Sequence, residues 1–379
     1  MLRIGMVAGE ASGDYLAAKL IRSIRQYDSD LVVEGIGGPK MQQQGCRIIY
    51  PVDKLSVMGF AEVLGKYWEL SKMRSELQNY FIQQPPDIFI GIDAPDFNLK
   101  LEKNLHAHNI KTAHYVSPQV WAWREYRIKK IKQAVDLMLV LFPFEKQFYD
   151  MHKVPAVYVG HPLAEQIPMK ADKHAARKKL CLPEDKKIVA LMPGSRKMEF
   201  NNLTGPFLLA ADNCRKARED IHFATSLLTD EAVAFFKSSM SEYSLEDLPV
   251  SIYKDVSHDI MEAADLVLLA SGTITLEAML IKKPMVVAYK AHWLSYCLMK
   301  AMSKVKYIAL PNLLADMRLI PECIQQECNP ARLELEIMKL LDKYEDLPEL
   351  EVRFTGLHKQ LKLNTGEIAS KAILELVAN

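Results

Sequence analysis

Short apolar runs alternate with amphipathic helical stretches along nearly the whole chain, and the alternation starts twice. In the first half the apolar runs predict strands at 3–8, 31–36, 88–92, 112–116, 137–141 and 156–159. Helical spacing separates them at 15–25, 66–83, 98–108 and 124–134. The pattern breaks at 161–187, a proline-flanked basic stretch without strand character that reads as a linker and the entry to a second domain. Strands resume at 188–192, 221–224, 251–253, 266–270 and 285–287, with helices between them at 204–218, 231–243, 257–264 and 275–281. From Pro330 onward the spacing is helical, at 332–344, 349–362 and 367–377. Strand–helix alternation of this length predicts parallel sheets covered on both faces. The expected architecture is therefore α/β, two Rossmann-like doubly wound parallel-sheet domains facing each other across a cleft, with a helical C-terminal tail. The boundaries fall at 1–165, 166–340 and 341–379, the last segment either packing back on the N-terminal domain or exchanged in a dimer.

Three strand ends carry candidate chemistry. Residues 188–192 are five consecutive apolar positions, as in a strand buried on both faces. Pro193, Gly194 and Ser195 end it, and Arg196 follows. Small residues let backbone N–H groups converge into an anion-binding nest, and a guanidinium adds a planar fork of donors suited to phosphate. The run 266–270 ends similarly in Ser271, Gly272 and Thr273 at the start of a helix, where the dipole favours an anion. Glu277, one turn into that helix, can accept the ribose hydroxyls of a nucleotide whose diphosphate lies on the turn. Compensation of the helix dipole is the plainer reading of Glu277. In the first half, 88–92 ends in Asp93, the candidate catalytic carboxylate. Asp96, beside Pro95 at the next helix start, reads as structural.

Other residues support two readings each. Glu10, Ser12 and Asp14 follow the first strand and suit either helix capping or a polar ligand such as a sugar. Gly9 and Gly13 lack the GxGxxG spacing of a dinucleotide site, so no nicotinamide or flavin is expected. Ser117, Trp121 and Trp123 share a loop that is either a platform for a sugar or apolar ligand or simply packed on the sheet. Val57, Met58 and Phe60 begin a stretch apolar on more than one helical face, either core or lipid-facing.

Composition narrows the class. The chain has 379 residues, 49% hydrophobic and 25% charged, enough for about two domains. A net charge of +1 gives no global field for nucleic acid or membrane, so any attraction to an anionic surface must come from local patches. The six cysteines show no metal-ligand spacing and read as reduced thiols of a cytosol-type compartment, with no metal site. Residues 2–7 are too short for a signal peptide, with Glu10 and Asp14 following, and no apolar run reaches the ~18 residues of a membrane span.

Eight motifs in order carry a family resemblance. They are GEASGD at 9–14, GIDAPDFN at 91–98, HYVSPQVWAWR at 114–124, FPFE at 142–145, VGHPL at 159–163, PGSR at 193–196 with Glu199, ASGTITLE at 270–277 and LPNLLA at 310–315. Together they resemble the lipid-A-disaccharide synthase family. The resemblance implies an inverting glycosyltransferase of the GT-B fold that joins UDP-2,3-diacylglucosamine to 2,3-diacylglucosamine 1-phosphate (lipid X), releasing UDP and needing no cofactor or metal. It adds Asn312 and Leu313 to the nucleotide-binding residues. It further implies a cytoplasmic protein peripheral on the anionic inner-membrane surface, and homodimers in some members that exchange C-terminal segments. In this mechanism Asp93 takes the proton of the acceptor hydroxyl while Arg196 and the turn amides stabilise departing UDP. A UDP-N-acetylglucosamine 2-epimerase and a non-catalytic nucleotide-sugar-binding protein are the competing functions.

Overall fold

The computed structural model describes residues 1–55, 60–123, 125–293, 296, 300, 305–342 and 347–379. Val57 and Met58 lie outside the described residues, as does the side chain of Phe60. The chain divides into two units, Met1–Pro162 with Leu361–Asn379, and Leu163–Gln360.

The first unit is built on seven parallel strands, β1 (Arg3–Ala8), β2 (Val32–Gly37), β3 (Arg47–Pro51), β4 (Ile88–Ile92), β5 (Lys111–Tyr115), β6 (Leu137–Val140) and β7 (Ala156–Tyr158), in the order β3-β2-β1-β4-β5-β6-β7. The central strands are the continuous apolar runs, because helices cover both faces of a parallel sheet. Every residue of β4 is buried. On one side Phe81 meets Phe89 edge to face at 5.6 Å, each ring contributing about 1.5–3 kcal/mol of burial. On the other side the helix Ala11–Ile24 is covered by the terminal helix Thr365–Ala378, with Ser23 and Ser370 hydroxyls 3.0 Å apart. Lys111 Nζ donates to the carbonyls of Leu376 and Val377, a cation at a helix C-terminus.

The second unit repeats the topology with β8 (Lys187–Met192), β9 (Ile221–Leu227), β10 (Val250–Lys254), β11 (Leu266–Ala270), β12 (Met285–Tyr289) and β13 (Glu322–Ile324), ordered β10-β9-β8-β11-β12-β13 and all parallel. In each sheet the order reverses once, between β1 and β4 and between β8 and β11. Open α/β sheets bind ligands beyond the carboxyl ends of the strands at that reversal.

Four features differ from the sequence expectation. β3 and β13 were not expected: both are edge strands, one half-exposed and ending in Pro51, the other of three residues, so neither shows a buried apolar run. The stretch 161–187 is not simply a linker, since the helices Pro162–Gln166 and Lys173–Lys179 lie in it. Arg177 ties the second helix to Asp265 at 2.6 Å, and Lys173 pairs with the same carboxylate. Burial alone would raise the Asp265 carboxyl, yet these cations and the Ile188 N–H hold it below the usual range. The helix expected from 204 begins at Lys197 and runs to Ala217, carrying Pro206 within it. Finally, the segment 341–379 is divided between the units, the helix Leu347–Leu361 falling almost wholly in the second and Thr365–Ala378 in the first.

Candidate active site

Parallel pairing of β8 with β11, in register from Val189 with Leu266 to Met192 with Leu269, brings the turns that follow them side by side. Gly194 has φ +110°, a conformation that a side chain strains, and a Cβ there would lie 3.3 Å from the Ala270 Cβ. Arg196 is the N-cap of the helix Lys197–Ala217, so the turn 193–196 opens on a helix start whose first N–H groups lack intrahelical partners. The second turn does the same, with Gly272 as N-cap of the helix Thr273–Leu280. Two helix N-termini, and the partial positive charge at each, therefore lie at adjoining strand ends. Ser195, Gly272 and Thr273 are exposed, and Ser271 and Gly194 are half-exposed. The Arg196 side chain is 81% exposed and reaches Glu199 Oε1 at 3.1 Å. This arrangement suits a diphosphate received by backbone amides and one guanidinium.

Glu277 is half-buried on the same helix as Thr273, and its Oε1 accepts from His258 Nδ1 at 3.0 Å. Asn312 is differently placed. It is fully buried; its amide donates to Ile320 O and Glu322 Oε1, and its Oδ1 accepts from the backbone of Leu319 and Ile320. Its side chain organises the loop after the helix Leu310–Ala315, and Leu313 is half-buried on that helix.

The first unit's reversal is built otherwise. Asp93 directly follows β4 and is half-buried, with φ +54°, and Ala94 follows at φ +42°. Two successive left-handed residues without glycine carry backbone strain, on the order of 1–3 kcal/mol each. Surrounding bonds hold them there. Asp93 N–H donates to Tyr115 O at 2.9 Å, and the buried Asn98 amide donates to Asp93 O at 2.7 Å. Gly9, at the end of β1, fits because a Cβ there would lie 2.3 Å from the Ala94 Cβ. Behind this turn, Glu102 and His114 form a fully buried pair at 2.7 Å, and burial raises the Glu102 carboxyl although His114 counteracts it. Asn98 and His114 stand at the ends of two of the motifs without a role assigned to them, and Glu102 and His258 lie outside every motif. Their roles depend on partners 5 to 19 residues away that the fold brings into contact.

The remaining acceptor-side residues separate. Glu10 and Ser12 are exposed at the start of the helix Ala11–Ile24, and Glu10 makes no side-chain cap. Asp14 is buried, and its carboxylate accepts from Gly38, Lys40 and Met41 N–H at 2.8–3.0 Å. It caps the short helix Pro39–Gln43, so most of its acceptor capacity is already engaged within the first unit. Ser117 is buried and lies 2.8 Å from the Tyr149 hydroxyl. Trp121 is half-buried, packs edge to face on Phe144 at 4.6 Å and donates its indole N–H to Glu145 at 3.2 Å. Burial pushes the Glu145 carboxyl up to about 7, opposed by N–H donors of Phe142, Leu141 and Trp121. Trp123 is half-buried as well. Among the described residues no group of three or more His, Cys, Asp or Glu side chains forms a metal cluster.

Comparison with known proteins gives this geometry its context. The "Lipid-A-disaccharide synthetase" family model matches residues 4–373. A lipid-A-disaccharide synthase of Pseudoalteromonas translucida is 47% identical over 378 residues, covering 99% of this chain and 97% of that one. One from Psychromonas ingrahamii is 45% identical, covering 100% and 98%. Among solved structures, a putative UDP-N-acetylglucosamine 2-epimerase from Listeria monocytogenes superposes with a TM-score of 0.64 over 98% of this chain and 94% of its own. At 12% identity that likeness shows the two-sheet fold alone. With whole-length sequence agreement on one side and fold likeness only on the other, the chain belongs to the lipid-A-disaccharide synthase family.

Proposed function

We propose that each unit contributes one half of a sugar transfer, the second holding the nucleotide-sugar donor and the first supplying the base. Family membership makes the protein a glycosyltransferase that forms the lipid A disaccharide. Within that activity, the donor is UDP-2,3-diacylglucosamine and the acceptor is 2,3-diacylglucosamine 1-phosphate. The observation that carries the donor half is the adjoining pair of helix-opening turns, Gly194 against Ala270, with Arg196 at the first.

Chemically, the acceptor's 6-hydroxyl oxygen attacks the anomeric carbon as the bond to the UDP oxygen breaks, inverting that carbon. Asp93 accepts the hydroxyl proton. A carboxylate is too weak a base to deprotonate an alcohol in advance, so proton transfer accompanies bond formation and contributes roughly 10²–10⁴-fold. The larger share falls to charge stabilisation on departing UDP by Arg196 and the amides of 194–196 and 271–273, donors fixed before the reaction begins. Glu277 receives the ribose hydroxyls. Glu199, 3.1 Å from Arg196, keeps the guanidinium near the turn until phosphate replaces it.

Both substrates carry acyl chains, and this supports working at an anionic membrane surface on the cytoplasmic side. Among the described residues no helix is long and apolar enough to cross a membrane. A homodimer exchanging C-terminal segments would set one copy's Thr365–Ala378 on the other's Ala11–Ile24, the face it covers here within one chain. Incubation with both acylated substrates, followed by UDP release and mass spectrometry of the lipid, tests the reaction. The expected products are equimolar UDP and disaccharide 1-phosphate. Turnover of water-soluble UDP-N-acetylglucosamine without a lipid acceptor would return the epimerase reading, and UDP binding without product a non-catalytic one.

A further inference from the structure

His258 stands in the second unit and has no part in the reaction just described. It is the second residue of the helix Ser257–Ala263, which follows β10 and leads into β11. Its Nδ1 lies 3.0 Å from Glu277 Oε1, and its Nε2 lies 4.0 Å from Glu262 Oε2. A carboxylate can only accept, so Nδ1 carries the proton toward Glu277. Asp259, on the same helix, adds a third carboxylate, itself engaged by Lys179 at 2.8 Å from the neighbouring helix Lys173–Lys179. Glu262 also accepts from Asp172 N–H at 2.7 Å. The bond to Glu277 is the main influence raising His258 above its ordinary value; burial opposes it, and the charges of Glu277, Glu262 and Asp259 add to it. His258 is 40% exposed and Glu277 24%, so both are in reach of a ligand without being loose on the surface.

We propose that His258 is a positioning residue for nucleotide binding, its imidazolium holding the Glu277 carboxylate in the orientation that receives the ribose hydroxyls. The proposal rests on the reading of Glu277 as the ribose acceptor. A glutamate free to rotate must be ordered when the nucleotide arrives, and that ordering weakens binding. A charge-assisted bond formed beforehand removes part of that cost. One carboxylate offers about four acceptor positions, so a bond from His258 to Oε1 leaves capacity for two hydroxyls. The pH dependence has a definite sign. The pKa is raised, so the charged bridge is complete below the ordinary value of 6.5 and is lost as pH rises through the higher folded value.

The test is UDP affinity by titration calorimetry from pH 6 to pH 9, for the full chain and for His258→Ala, His258→Asn and Glu277→Ala. At pH 6, His258→Ala is expected to weaken UDP binding about three- to tenfold. Its KM for the sugar nucleotide should rise by the same factor while kcat stays within about twofold, because the bond acts on binding rather than on the transition state. His258→Asn keeps a donor near the place of Nδ1 and cannot titrate. It should recover most of the affinity, and the ratio of wild-type to Asn affinity should fall with pH. Titration of UDP itself is common to all variants and cancels in that ratio. Unchanged affinity of His258→Ala beside weakened Glu277→Ala overturns the positioning role. Unchanged affinity of Glu277→Ala overturns instead the ribose reading beneath it.

Discussion

The two strand-order reversals share one topology but are filled in opposite ways. In the second unit, the turns after β8 and β11 leave their backbone open. Gly194 takes a conformation that other residues resist, nothing lies within 4 Å of where a Cβ would stand on Gly272, and Arg196 is exposed at a helix start. In the first unit, the turns after β1 and β4 close on each other. Ala94 occupies the space beside Gly9, and a strained pair at 93–94 is tied down by Asn98 and Tyr115. An open nest of amides suits an anion. A closed turn offers no such nest, and what it fixes is the backbone at Asp93. On the function proposed above, the duplicated topology would serve binding in one unit and chemistry in the other.

The sharpest way to break this comparison is Asp93→Asn. Turnover is expected to fall about 10²–10⁴-fold while UDP affinity by calorimetry stays within about twofold. Near-normal turnover would remove the base from the first reversal. Next in size is a matched pair of glycine substitutions. Gly9→Ala places a Cβ 2.3 Å from the Ala94 Cβ and so displaces the Asp93 turn. Its expected effect is a loss of turnover of up to about 10²-fold without a change in UDP affinity. Gly194→Ala, strained at φ +110°, should instead weaken UDP binding, by about tenfold, and lower the melting temperature modestly. If both variants altered UDP binding alike, the division of labour would be wrong. Arg196→Ala is expected to reduce UDP affinity and turnover together, about tenfold or somewhat more, because its contact with phosphate is charge-assisted but exposed to solvent. UDP affinity unaltered in that variant would leave the diphosphate to the amides alone.

Which parts of this were legible in the chain follows from burial. β4, β8 and β11 are buried throughout or nearly so, and such strands must be apolar at every position, so they stand out as runs. The turns after them interrupt those runs with small or charged residues, and Asp93, Gly194 and Ser271 are visible for that reason. Edge strands have no such requirement. Of these, β7 and β10 still read as short strands. β3, half-exposed and ending in Pro51, and β13, three residues opening on Glu322, carry no buried apolar run and were invisible. Gly205 and Pro206 resemble a boundary and so obscure the first two turns of the helix after Arg196; inside it, Thr204 bonds back to Phe200 O at 2.7 Å.

By itself the sequence determined that two parallel sheets would form and which strand ends would carry the small-residue turns and a carboxylate. Those features depend on residues adjacent in the chain, where hydrophobic period and turn chemistry act directly. Only the tertiary structure decided that Asp14 caps a helix 24 residues away, that Asn312 is buried among its own loop, and that Asn98 and His258 stand behind Asp93 and Glu277. A polar side chain declares its type in sequence but not its partner, and the partner is chosen by packing, which brings distant segments together.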